Sequence, residues 1–124
     1  MKKGISFLFT LLVILSSCQQ GSEGELIYTK NCGNCHMDNG SGVAHLVPAF
    51  DVIYFKDKRS EAICHVIYGV RDTTGDMVMP SYPNLINSQI ANVLNFINEF
   101  KGFQSKFFIE SEIEIARQEC DTAK

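Results

Sequence analysis

The chain has 124 residues, is 45% hydrophobic and carries a formal net charge of −3. That length holds one domain. The acidic balance argues against nucleic acid or acidic lipid as a partner, and is compatible with a protein that presents a basic patch.

The first 17 residues read as a leader and not as part of the fold. Lys2 and Lys3 form a positive end, and Ile5 to Leu15 form an apolar stretch too short to span a bilayer comfortably. Leu15-Ser16-Ser17-Cys18 resembles the lipobox of bacterial lipoproteins, where cleavage leaves a lipid-bearing cysteine. On this reading residues 1–17 are a lipoprotein-type signal peptide, Cys18 is the lipidated N-terminus, and residues 18–22 are a tether. The mature chain then runs from residue 18 to 124, 107 residues, and loss of Lys2 and Lys3 takes the charge to −5. The expected location is the bacterial cell envelope, on a membrane anchor facing the periplasm.

A first helix is expected over residues 23–34. Glu23 and Glu25 sit in its first turn, which suits the helix dipole. Leu26, Ile27, Tyr28 and Cys32 give it an apolar side. It runs into Cys32-Gly33-Asn34-Cys35-His36. This C-x-x-C-H run is the attachment signature of a c-type haem. Two thiols add to the haem vinyl groups as thioethers, and the histidine that follows binds iron from one side. A bare C-x-x-C also suits a zinc half-site or a thiol–disulfide pair. The adjoining histidine, and the lack of a second C-x-x-C, disfavour both. Bacterial c-type haem is attached outside the cytoplasmic membrane, so leader and motif point to one compartment.

From Met37 to Arg59 there is little periodicity, and Gly40, Gly42 and Pro48 punctuate the run. A structureless stretch of that length is unusual in a compact domain. A haem accounts for it: Leu46, Val47, Phe50, Val52, Ile53 and Tyr54 can wrap a large apolar cofactor. A second helix is expected over residues 61–68, with Ser60 as cap and Gly69 as stop. Ala62, Ile63, Val66, Ile67 and Val70 mark its buried face. Residues 71–75 read as a polar turn. A third helix is expected over 88–100, capped by Asn87 and ended by Gly102, with Ile90, Val93, Leu94, Ile97 and Phe100 as its stripe. A C-terminal helix follows, with Ile113, Ala116 and Cys120 in register and most of Glu110, Glu112, Glu114 and Glu119 solvated.

The second iron ligand is sought among His45, His65, Met37, Met77, Met79 and free cysteine, since iron accepts His, Met, Cys or Tyr. Met79 precedes Pro80, which holds the residue before it extended and stiffens the loop. Met77 lies on the same side of an extended strand and remains an alternative, or else packs the haem pocket. His45 reads as a loop or propionate-side residue. His65 falls opposite Ile63 and Val66 and is expected to be exposed.

Together these motifs resemble the small monohaem class I cytochrome c family, over about residues 24–100. The resemblance implies an all-α cytochrome c fold, three core helices around one covalent haem c. It implies that Gly24 and Tyr28 pack on Phe96 of the last core helix. It implies that Pro48 accepts the His36 imidazole N–H through its backbone carbonyl, and that Met79 is the distal ligand. The domain proper is expected at 23–102, with 103–124 a C-terminal helical extension beyond the usual family end. With Cys18, Cys32 and Cys35 assigned, Cys64 and Cys120 remain, and an oxidising envelope favours a disulfide between them.

The functional expectation is one-electron transfer between respiratory or other envelope redox partners, with no small-molecule substrate and no catalysis at a six-coordinate iron. The alternatives are a haem subunit of a larger oxidoreductase, docked through the acidic tail, and a haem sensor with a labile sixth ligand.

Overall fold

The computed structural model describes residues 21–122. The leader, Cys18 and most of the tether lie outside the described residues. Among the described residues the elements are α1 (Glu23–Asn31), α2 (Gly33–His36), α3 (Ile53–Lys56), α4 (Arg59–Tyr68), β1 (Val70–Arg71), β2 (Met77–Met79), α5 (Asn87–Phe100) and α6 (Glu110–Thr122). The fold is helical, as expected, with one small antiparallel strand pair that aligns Val70 with Met79 and Arg71 with Met77. The expected turn at 71–75 is its hairpin loop, knotted by Asp72, which accepts from Thr74 N, Thr74 Oγ1 and Asp76 N.

Helices α1 and α5 cross through Gly24. A Cβ there would run into the Asn92 carbonyl oxygen and would stand 2.9 Å from Phe96 Cβ, so only glycine admits this approach. The Tyr28 ring then meets Phe96 at 5.6 Å and Phe100 at 5.2 Å. Tyr28 Oη donates to the Met37 carbonyl at 2.5 Å, which ties the end of the motif back to α1.

Three helix starts or ends differ from the sequence reading. The first helix stops at Asn31, not Asn34. Its ladder breaks at Cys32, whose carbonyl then accepts from Cys35 N and His36 N and starts α2. Helix α4 begins at Arg59 without a side-chain cap from Ser60. The Arg59 guanidinium fixes that start: it donates to the Phe55 and Lys106 carbonyls and pairs with Glu112 at 2.6 Å. Helix α5 is capped at Ile86, whose N–H donates to Gln89 Oε1. Asn87 instead faces α6, donating to Glu114 and accepting from Arg117. Tertiary contacts outweigh local capping at both sites.

The C-terminal helix buries Ile113, Ala116 and Cys120, as its register predicts. Glu110, Glu114 and Glu119 are exposed, as expected, and only Glu112 is half-buried, where Arg59 engages it. Phe108 sits under the Arg59 guanidinium, 3.7 Å from it to the ring centroid. Asn95 clamps Phe108 through both of its backbone polar groups. Ile63, Ile67, Ile90, Val93 and Ile113 form the centre of the core. No helix among the described residues is long and apolar enough to cross a membrane.

Candidate functional site

One cavity of about 350 Å³ lies between α2, the 46–51 loop, α4, β2 and α5. Cys32, Cys35 and His36 line it, as do Met79 and Pro80 of the β2 end and Val93, Leu94 and Ile97 of α5. The expectation that the aperiodic run wraps an apolar space holds for Leu46, Val47, Phe50 and Tyr54, which line it. Val52 and Ile53 do not; Ile53 opens the short helix α3, which the sequence pattern did not show.

The His36 ring stacks on Phe50 at 4.3 Å and 18°. Its Nδ1 is shut off from solvent with no hydrogen bond of full geometry inside the protein. Burial lowers the imidazole pKa, and the backbone carbonyl of Pro48 acts in the opposite direction. Pro48 thus bears on this ring from its expected position, although short of a well-formed hydrogen bond. Gly42 makes this possible: at φ +69° it lets the chain turn back, and a Cβ there would stand 2.7 Å from the Pro48 carbonyl oxygen. A half-buried, stacked ring whose pKa is lowered by burial suits a metal ligand.

Cys32 is half-buried and Cys35 exposed, both as free thiols. Burial, and then its neighbour Cys35, push the Cys32 thiol up to about 11. Thiols that exchange disulfides or bind zinc have lowered pKa values, so this environment does not favour either use. No group of three or more His, Cys, Asp or Glu side chains that could hold a metal ion occurs among the described residues.

Met79 is half-buried and lines the cavity. Met77 is 43% exposed, is not among the lining residues, and has its sulfur packed at the Gly69 backbone. The two methionines left open by strand periodicity are therefore in different environments. Met37 is exposed and His45 is exposed, and neither lines the cavity.

His65 departs from expectation. It is half-buried, lines the cavity and packs against the Tyr54 ring at 5.6 Å. The helical wheel assumed one buried face for α4. The helix has two: Ile63 and Ile67 face the protein core, while Ala62, His65 and Val66 face the cavity. Tyr82 was missed altogether. Its N–H donates to the Val66 carbonyl and its Oη to the Asn31 carbonyl, closing the cavity beside the cysteines. Its position two residues after Pro80 was the available signal.

Cys64 on α4 and Cys120 on α6 stand at disulfide distance, with Cα atoms 5.8 Å apart. They lie on the side of α4 that holds the C-terminal helix.

The residues fit a haem: an apolar space lined by two thiols, an imidazole and a thioether. Residues 21–101 match the family model described as Cytochrome c. A curated relative is "Alcohol dehydrogenase (quinone), cytochrome c subunit" of Gluconobacter oxydans (strain 621H), 30% identical over 97 residues. The match covers 72% of this chain but 20% of the relative, so this chain spans about a fifth of that protein's length.

Proposed function

The chain belongs to the cytochrome c family, whose members carry covalently attached haem c, and on that premise we propose that it carries single electrons between envelope redox proteins. In this reading Cys32 and Cys35 hold the haem as thioethers, and His36 and Met79 hold its iron. Supporting it is one observation above the others: both motif cysteines, His36 and Met79 wall a single apolar cavity. When bound, the haem supplies a one-electron ferric–ferrous couple. Methionine sulfur raises the potential of that couple relative to a second histidine, and an apolar shell that keeps water out acts in the same direction.

The protein's own residues do three things. The Phe50 stack and Pro48 orient the His36 ring. Pro80 and the strand pair hold Met79 at the cavity lining. The α5 side chains exclude water. With His36 and Met79 both holding the iron, substrate chemistry at the metal would be disfavoured. Leu46, 80% exposed, and Val78 stand at the cavity's outer rim, where a partner contact would be small and transient. A disulfide between Cys64 and Cys120 fastens the C-terminal helix to α4. Export and lipidation at Cys18 keep the domain near the membrane and raise its local concentration at respiratory complexes.

A second reading follows from the relative's printed name. The chain serves as an electron-transfer subunit of a larger dehydrogenase, which receives its electrons within one assembly.

Peptide mass spectrometry of the holo-protein tests the attachment. The peptide holding Cys32 and Cys35 should carry one haem. Recovery of that peptide with two free thiols would contradict the proposal.

A further inference from the structure

Helix α1 joins two ends of the molecule. It starts after Ser22, whose hydroxyl accepts from Glu25 N, and reaches Cys32 at the cavity wall. Ten residues of helical rise separate these points by about 15 Å. The stretch from Cys18 to Ser22 spans four residues, at most about 14 Å when extended. A domain of this size has a radius of gyration of about 13 Å, so its diameter exceeds the tether. A lipid on Cys18 therefore holds the Ser22 end of α1 at the bilayer, and the far side of the domain cannot swing round to it.

Helix α5 divides the same two sides. Ser88, Ala91 and Asn92 line a shallow groove of about 460 Å³ together with Phe108 and Ile109. Val93, Leu94 and Ile97 line the haem cavity. At 100° per residue these two sets fall on opposite faces of the helix. Glu23 accepts a hydrogen bond from Asn92 at 2.5 Å, which sets the start of α1 at the groove's edge. Ile109 lines the groove and is 50% exposed, and Phe107, two residues before it, is 53% exposed. Glu110 lines the groove, Glu23 stands at its edge, and Glu25 follows in the first turn of α1.

We propose that this surface, Phe107 and Ile109 beside the start of α1, rests on a lipid bilayer and turns the haem cavity away from it. The proposal rests on the lipidation of Cys18 proposed above and adds an orientation to it. Apolar side chains at the groove enter the headgroup boundary, while the three glutamates repel anionic lipid. The bilayer so recognised is zwitterionic. The cavity rim at Leu46 and Val78 then faces the aqueous side, open to partner proteins.

Hydrogen exchange on the full, haem-loaded, lipidated chain in phosphatidylcholine vesicles tests this, with Cys18→Ser protein as the untethered reference. Intact mass first establishes the lipid. Segments 21–26 and 105–111 should exchange severalfold more slowly on vesicles, while 43–50 and 77–82 stay unchanged. Phe107→Asp with Ile109→Asp should abolish the protection of 105–111 with lipid and haem still attached. Anionic lipid should weaken the protection. Lipid attached but 105–111 unprotected, or protection centred on 43–50, overturns the orientation alone; either pattern would leave that surface to a protein partner. A mass without lipid overturns the lipoprotein reading, and this orientation with it.

Discussion

Gly24→Ala sets two magnitudes against each other. Alanine in a helix interior is favoured over glycine by about 1 kcal/mol. At an exposed position of α1 the change would stabilise. At Gly24 the new methyl meets the Asn92 carbonyl, with that carbonyl carbon at 2.8 Å and Phe96 Cβ at 2.9 Å. Two of these atoms are α5 backbone, which no rotamer change can move aside. Relief requires α1 and α5 to separate, and overpacking of this kind costs about 1–3 kcal/mol before the displaced Tyr28 contacts are counted. The steric term wins, and a net loss of about 1–2 kcal/mol is expected. For a domain near this size that lowers Tm by roughly 5–15 °C. Thermal unfolding of the haem-loaded protein followed by far-ultraviolet circular dichroism measures it. Thr29→Ala, on the exposed side of α1, serves as control and should be neutral or slightly stabilising. A Gly24→Ala protein at least as stable as the parent would refute the close-crossing argument.

Further outcomes follow from the same contacts. Arg59 holds the Glu112 carboxyl below the usual carboxylate range. A depressed folded pKa contributes stability that is present above the unfolded value and is lost as pH falls through the folded one. Acid should therefore loosen α6 from α4, and Glu112→Gln should flatten that part of the stability–pH curve; an unchanged acid slope would count against the pair. Removing a Cys64–Cys120 bridge, 56 residues apart, should cost about 4 kcal/mol in the chain-entropy model, measured by urea unfolding of Cys64→Ser. Two thiols alkylated in the native, unreduced protein would show there is no bridge to remove. Met79→Ala should shift the ferric spectrum and lower the potential, whereas Met77→Ala should leave both nearly unchanged. The reverse pattern would make Met77 the ligand.

Four residues that line the cavity were legible as candidates because covalent and coordination chemistry restrict spacing tightly. Cys32, Cys35 and His36 stand out by a five-residue run, and Met79 by the proline that follows it. The core stripes of α5 and α6 were legible because one face of each packs against protein. Helix α4 was half legible. Periodicity marks Ala62 and Val66 as buried, and both line the cavity; it tracks apolar residues only, so the polar His65 beside them reads as solvent-facing. Ser60 and Asn87 are good caps by composition, but Arg59 and Asn87 make contacts across 53 and 27–30 residues of sequence that override local preference. Helix α3 is too short to leave a period. The Phe50 stack on His36 and the Tyr82 closure depend on loops whose paths the sequence does not encode locally.

The central claim is a six-coordinate His36–Met79 iron that exchanges one electron. A visible-spectrum redox titration of the purified haem-loaded protein, with carbon monoxide then added to the reduced form, tests it most directly. The account predicts a single reversible one-electron wave, a ferric band at the red end of the visible spectrum that Met79→Ala abolishes, and no ready carbon monoxide binding until Met79 is removed. Ready binding of carbon monoxide by the unmodified reduced protein, with that ferric band absent, would contradict it.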